Sequence, residues 1–175
     1  MPQTKLRIRF YGDPSLRRRS APVARLGDQE RLVLAQMEEI MRLSGGIGLA
    51  APQVGLNRQM IIVDVGQGLV VLANPRILKK WGSAVLEEGC LSLPGIYVRV
   101  KRAKKIRVCG FNEKNEKVVL MAEDIFARAL QHEIDHLRAK LIFDHANFFE
   151  KLKLKKKLKA LKLNEAAAQK AAAAF

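Results

Sequence analysis

Cysteine is scarce in this chain, which has two, Cys90 and Cys109, among its 175 residues. Small secreted scaffolds are instead rich in paired cysteines, so a disulfide framework is not expected. Long apolar runs are also missing. No stretch reaches the roughly eighteen residues of a transmembrane helix, and residues 1–5 lack the apolar segment of a signal peptide. These absences predict a cytoplasmic protein with reduced thiols.

Acidic residues are outnumbered: the chain has 17 of them against 32 lysines and arginines, which gives a net charge of +15. Much of the excess lies in the last part of the chain, where eight lysines and the single acidic residue Glu165 follow position 150. We predict a catalytic domain over residues 1–150 and a basic C-terminal helix with an alanine-rich tail over residues 151–175. Such a charge can attract RNA or anionic surfaces, and it can equally serve solubility.

Hydrophobic periodicity changes along the chain from that of a helix to that of strands and back. Apolar residues at three- and four-residue spacing predict a helix from Asp28 to Gly45, and a second helix from Ala122 onward. Short β-branched runs predict strands at Met60–Val65, Leu69–Leu72, Ile96–Val100, Ile106–Phe111 and Val118–Met121. The turn at residues 112–116 suits a hairpin between the last two runs. This order of elements predicts an α+β fold with antiparallel pairing.

The second helix carries the most informative motif, His132-Glu133-Ile134-Asp135-His136. Residues four apart lie about 40° apart around a helix and one turn along it, so both imidazoles can bind one metal ion. Glu133 is rotated by about 100° from His132 and is placed to exchange a proton with a water on that ion. The alternative is a pair of surface histidines. Metal binding is favoured because the chain has 3 histidines in all, and two of them have this spacing. Asp135 is predicted either to orient a ligand histidine or to face solvent, and His145 to lie at a helix end or on the surface.

A third ligand is needed, because a catalytic ion usually has three protein ligands and an open position. Cys90 is a candidate, since the glycines and the proline around it suit a shaped loop, although an isolated cysteine is more often a small core residue. Cys109 lies within a strand-like run and is predicted to be such a core residue.

A glycine-rich segment at residues 45–55 follows the first helix. It can simply end that helix and turn the chain. It lacks the Lys-Ser or Lys-Thr of a phosphate-binding loop. Its small residues also allow a ligand to approach the backbone closely, and Gln53 can donate an amide hydrogen to a developing oxyanion.

Three segments together resemble the signature motifs of the peptide deformylase family. They are Gly46-Ile47-Gly48-Leu49-Ala50-Ala51-Pro52-Gln53, Glu88-Gly89-Cys90-Leu91-Ser92 and Gln131-His132-Glu133-Ile134-Asp135-His136. Each is weak or moderate alone, but their presence in this order is highly specific, and no motif position departs from the family pattern. The resemblance runs from the turn at residues 11–14 to about Phe149 and leaves the lysine-rich tail outside it.

The resemblance implies antiparallel β-sheets around a central helix that carries the histidine motif, followed by a C-terminal helix. It implies hydrolysis of the N-formyl group from the formylmethionine of nascent polypeptides, with release of formate. One divalent ion, in bacterial members commonly Fe²⁺ and replaceable by Zn²⁺, Ni²⁺ or Co²⁺, is expected to be held by Cys90, His132 and His136. Glu133 is implied as the acid-base group, and Gln53 and the Leu91 amide as oxyanion donors.

Residues within the first motif and just before the third predict the substrate pocket. Gly46 and Gly48 are expected to leave room for a formyl hydrogen and to crowd larger acyl groups. Ile47, Ile125 and Ala129 are expected to line a pocket for the methionine side chain.

The C-terminal helix has apolar residues on two roughly opposite faces. One face has Phe148, Phe149 and Leu152, and the other has Leu154, Leu158 and Leu161. We predict that the first face docks on the domain and that the rest of the helix is solvated. A functional alternative is that its lysines bind ribosomal RNA; contacts with a membrane or with DNA are not predicted.

Two rival functions account for parts of the sequence. The two-histidine motif also occurs in zinc endopeptidases, but the Cys90 loop and the glycine-rich segment argue against that function. Basic charge alone would suit a nucleic-acid-binding protein with a structural metal, which would show no hydrolysis sensitive to a chelator.

Overall fold

The computed structural model describes residues 6–172 and confirms the predicted α+β class. Its helices are α1 (Asp28–Leu43), α2 (Asp124–Leu137) and α3 (Phe148–Ala172). Its strands are β1 (Gly48–Ala50), β2 (Met60–Val63), β3 (Val70–Trp81), β4 (Ala84–Glu88), β5 (Val98–Arg102), β6 (Lys105–Phe111) and β7 (Lys117–Glu123). None of the helices in this part of the chain is both long enough and apolar enough to cross a membrane.

The strands form two antiparallel sheets. Five strands pair in the order β1-β2-β3-β6-β7, while β4 and β5 form a separate two-stranded sheet. The predicted hairpin is confirmed: β6 pairs with β7, and Asn115 in its turn has a φ of 64°, a left-handed conformation that asparagine tolerates. The hydrophobic pattern did not predict β1 or β4, and it ended β3 too early, at Leu72. The early end of β3 has a structural reason: its pairing with β6 shifts register between Ala73 and Arg76, which breaks the alternation of buried and exposed residues.

The large sheet is covered on both faces at β1 and β2. In β2, Ile61 and Val63 pack in a cluster with α2, whereas Met60 and Ile62 pack in a second cluster with α1. Alternate residues of one strand point to opposite faces, so the two clusters lie on the two sides of the sheet. This burial explains why β2 is uniformly apolar, and it places α2 against the sheet as the central helix.

The C-terminal helix docks by the face opposite to the predicted one. Phe148, Phe149 and Leu152 are 74%, 73% and 61% exposed, whereas Leu158 is 4% exposed and belongs to a third core cluster around β5. The prediction that the first apolar face docks was therefore wrong. The helix also starts at Phe148, before the predicted boundary at residue 151, and it continues through the described part of the alanine-rich tail to Ala172.

A buried acidic residue explains the choice of docking face. Glu165 is 1% exposed and accepts hydrogen bonds from Arg7 at 2.8 Å and from the Phe10 N–H at 3.3 Å. Gln169, one turn later, donates to Asp13 at 2.8 Å. These partners lie near the start of the chain, so the register of α3 depends on long-range contacts that helical periodicity does not report.

Candidate metal centre

Three of the predicted site residues converge where α2 meets the Cys90 loop. The Cys90 Sγ lies 3.3 Å from His136 Nε2, which lies 3.3 Å from His132 Nε2. These three ligand atoms all lie within 4.8 Å of one another, and theirs is the group in the described part of the chain that could hold a metal ion. A tetrahedral ion with bonds of about 2.0–2.3 Å keeps its ligands about 3.3–3.6 Å apart, so the donor set fits a divalent cation.

Local structure accounts for this convergence. Helix α2 presents its two histidines one turn apart, as the spacing predicts, and His136 is 1% exposed. The third group comes from the loop that follows β4, where the Leu93 N–H donates to the Cys90 carbonyl at 2.9 Å and closes a turn. The other cysteine, Cys109, is half-buried in β6 and is not part of this group.

Glu133 is a buried carboxyl group beside the three donors. It is 4% exposed, and its Oε2 has no hydrogen-bond partner among the described residues. Burial raises the pKa of Glu133 to about 7, although the nearby charges of His132 and Arg102 act in the opposite direction. A carboxyl group that titrates near neutrality can both accept and return a proton at physiological pH.

The glycines of the first motif lie directly against two side chains of the site. A β-carbon on Gly48 would lie 2.5 Å from Glu133 Oε1, and a β-carbon on Gly46 would lie 2.8 Å from Leu91 Cδ1. Both distances are too short for a real side chain. The absence of side chains at these glycines therefore makes room for the protein's own Glu133 and Leu91. That they also leave room for a formyl hydrogen stays a prediction.

The two predicted oxyanion donors lie at the same site. Gln53 is 1% exposed; its Oε1 accepts from the Ala50 N–H at 2.8 Å, which turns its Nε2 toward Cys90 Sγ at 3.6 Å and Ser92 Oγ at 3.3 Å. The Leu91 N–H makes no hydrogen bond to any residue between 6 and 172. An anchored amide and an unpaired N–H are both able to donate to an oxygen in the site.

An open cavity of about 480 Å³ leads to these groups. Its walls include every residue that the sequence predicted for substrate binding, namely Gly46, Ile47, Gly48, Ile125 and Ala129. The side chains of Ile47 and Ile125 are 44% and 53% exposed, so they form an apolar mouth above the buried polar groups. A cavity of this size, apolar with a few polar groups at its base, is typical of a small-ligand site.

A buried ionic network supports the histidines, and sequence reasoning missed most of it. Arg102 donates to both oxygens of Glu88, at 2.6 and 2.9 Å, and Glu88 Oε2 lies 3.1 Å from His132 Nδ1. Burial opposes the charge of Glu88, but the hydrogen bonds from His132 and Arg102 outweigh it and lower the pKa of this carboxyl to about 2. A carboxylate on the outer ring nitrogen orients a ligand histidine and leaves Nε2 free to bind metal.

Asp135 has neither of the two roles predicted for it. It accepts from Arg102 at 2.8 Å and lies 2.9 Å from His145 Nε2, so it neither contacts a ligand histidine nor faces solvent freely. His145 ends a short 3₁₀ helix as predicted, but its side chain is only 18% exposed. One feature of the sequence indicated this network. Arg128 precedes His132 by one helical turn, so it lies on the same face of α2, and it is 7% exposed.

Comparison with known proteins gives a consistent match. The family model described as polypeptide deformylase matches residues 5–152. The peptide deformylase of Thermotoga petrophila is 44% identical over 153 residues, which cover 87% of this chain and 93% of that protein. The crystal structure of a peptide deformylase from Synechococcus elongatus in complex with actinonin has a TM-score of 0.83 and 38% identity, covering 90% of this chain and 88% of that one. That of the Thermus thermophilus peptide deformylase has a TM-score of 0.85 at 38% identity, covering 90% and 98%.

Proposed function

Because the chain belongs to the peptide deformylase family, whose members hydrolyse the N-formyl group of nascent polypeptides with a bound metal, we propose that Cys90, His132 and His136 hold that metal. The observation that supports this assignment is the convergence of one thiol and two ring nitrogens, each 3.3 Å from the next. The comparisons offer no support for the rival zinc endopeptidase.

The ion itself we propose to be Fe²⁺. A thiolate with two imidazoles suits Fe²⁺, Zn²⁺ and Co²⁺ alike, and the family resemblance favours iron. When bound, such an ion lowers the pKa of water and polarises a carbonyl group. Metal analysis of enzyme purified without oxygen is expected to find iron as the main metal, and a preparation that is fully active with zinc as its main metal would contradict this choice.

The chain's own groups are proposed to move the proton and hold the oxygen. Glu133 accepts a proton from the water that attacks the formyl carbon, and returns it to the amine nitrogen as the C–N bond breaks. Gln53 Nε2 and the Leu91 N–H donate to the carbonyl oxygen on which negative charge grows, and one such donor is typically worth about 3 kcal/mol. Formate and a free amino terminus are the products, and Ile47, Ile125 and Ala129 hold the methionine side chain.

Replacing Cys90 with serine is the direct test of the ligand set. Cys90→Ser exchanges a soft thiolate for a neutral hydroxyl, so we expect affinity for Fe²⁺ to fall by at least about tenfold, the lower end of what loss of even a supporting group costs. Metal content per protein chain, measured after dialysis without oxygen, reports this change. Cys109→Ser is the matched control and should keep its metal. Equal metal content in both variants would remove Cys90 from the ligand set.

We also propose that α3 brings the enzyme to the ribosome, and hence that it works in the cytoplasm, where nascent chains emerge. A groove of about 520 Å³ lies beside this helix. It is lined by three aromatic residues, two leucines and four lysines: Tyr11, Phe143, Phe148, Leu152, Leu158, Lys151, Lys155, Lys159 and Lys162. The lysines recur every three or four residues, so they form one basic stripe next to aromatic side chains. Lysines bind phosphates and aromatic rings stack on unpaired bases, which favours RNA.

Neutralising the exposed lysines of α3 tests this proposal while keeping the docked side chains Leu158 and Glu165. The variant changes Lys155, Lys156, Lys159 and Lys162 to glutamine. Its matched control makes the same change in net charge at exposed lysines of the two sheets, Lys79, Lys80, Lys101 and Lys117.

We expect the α3 variant alone to lose co-sedimentation with ribosomes. Its binding should also depend less on salt, by a slope of about 0.7–0.9 for each phosphate contact removed. Co-sedimentation equal to that of the control variant, with the same salt dependence, would show that α3 has no special role.

A further inference from the structure

Arg128 is a buried charge on α2 that takes no part in the reaction proposed above. Its side chain is 8% exposed. Its Nη1 donates to Glu88 Oε1 at 2.6 Å and to the Val100 carbonyl at 3.0 Å, and its Nη2 donates to the Ala84 carbonyl at 2.9 Å. All three acceptors belong to β4 and β5. One side chain of α2 therefore holds both strands of the small sheet.

The two units joined by Arg128 are those that carry the proposed metal ligands. Cys90 follows Glu88 by two residues at the end of β4, and His132 follows Arg128 by one turn of α2. Glu88 also lies 3.1 Å from the outer ring nitrogen of His132. Any movement of β4 relative to α2 would therefore change both the distance from the thiol to the imidazoles and the support of one imidazole.

We propose that Arg128 is a positioning residue for the metal centre, because it clamps Glu88 and the small sheet against α2 and so fixes Cys90 relative to the two histidines. This inference rests on the ligand set proposed above. Arginine suits the task because its planar fork donates to several acceptors at once. A lysine can reach fewer of them and would leave buried carbonyl groups unpaired.

Arg102 provides a second link, which sets the size of the expected effect. It comes from β5, donates to both Glu88 oxygens, and reaches Asp135 of α2 at 2.8 Å. Because this link remains when Arg128 is removed, the centre should be loosened and not abolished. We therefore expect an effect of about tenfold on metal retention, at the lower end for groups that support metal ligands.

The experiment follows metal release from the loaded enzyme. Arg128→Met keeps an unbranched side chain and removes every donor; it is made in a Cys109→Ser background, so that Cys90 is the remaining cysteine. Each protein is loaded with Co²⁺, and its thiolate-to-cobalt absorption band is followed after excess chelator is added. We expect release about tenfold faster than in the parent, with a shifted band, and an intermediate rate for Arg128→Lys. Arg138→Met, the same change at an exposed position at the end of α2, should match the parent.

Release rates and spectra equal to those of the parent would overturn the proposal. This holds even if Arg128→Met unfolds more easily, because a purely structural role predicts lower stability together with an unchanged metal centre. If Arg128→Met does not fold, Arg128→Lys becomes the test. The proposal is then overturned if Arg128→Lys releases its metal no faster than the parent does. A parent that shows no thiolate-to-cobalt band would instead overturn the ligand set. The parent spectrum therefore separates the two failures.

Discussion

Replacing Glu133 with alanine is expected to lower kcat for formyl-Met-Ala-Ser by on the order of 10³-fold, within the range that a positioned acid-base group contributes. We propose that its carboxyl group accepts and returns the proton, and the pKa near 7 that burial gives it suits both transfers. The metal content should not change, because Glu133 is not one of the three converging donors. Formate release and bound metal, measured on the same preparation, check both statements.

Stability gives an independent check on this variant. Glu133 is buried and its Oε2 has no partner among residues 6–172. Removing a desolvated group of this kind does not cost the fold a hydrogen bond, so the free energy of unfolding should not fall as it does when a paired buried carboxylate is removed. Glu39→Ala, at an exposed position on α1, is the control and should keep full activity. Substantial formate release by Glu133→Ala, with metal bound, would assign the proton transfer to another group.

The parts of the site that follow from local geometry were predictable from residues alone. A helix fixes the relation between His132 and His136, so the proposal that they bind one ion together follows from a spacing of four. The position of Cys90 is different, because the distance from a loop to a helix depends on how β4 packs. Composition left Cys90 open between a ligand and a core residue, and only the family resemblance favoured the ligand.

The docking of α3 is another feature that local sequence patterns could not predict. Its two faces carry similar numbers of apolar residues, so periodicity cannot choose between them. The choice depends on whether Glu165 meets Arg7, far away in the sequence, and on the cluster that receives Leu158. The pairing of Arg128 and Arg102 with Glu88 is equally non-local. An arginine at a buried position indicates that an acidic partner exists, but the sequence does not tell which residue it is.

Adding one methyl group at Gly48 is expected to lower kcat by on the order of 100-fold while the metal stays bound. The β-carbon of Gly48→Ala would meet Glu133 at three atoms, Oε1 at 2.5 Å, Cδ at 3.0 Å and Cγ at 3.1 Å. Gly48 cannot move away easily, because β1 pairs with β2 opposite Val63 and is buried. The Glu133 side chain must shift by about 1 Å, and a displacement of that size in a catalytic group can cost about 10²-fold in rate.

A shorter carboxylate separates this cause from general damage to β1. Glu133→Asp withdraws the carboxyl group by one methylene, so the added methyl of Gly48→Ala should cost much less in that background than beside Glu133. Measuring kcat for the parent, both single variants and the double variant gives the coupling between the two positions. Independent damage predicts the same fold-loss in both backgrounds, with metal lost as well. Coupled losses with metal retained would instead mean that Gly48 lacks a side chain because the proton-transferring carboxylate occupies that space.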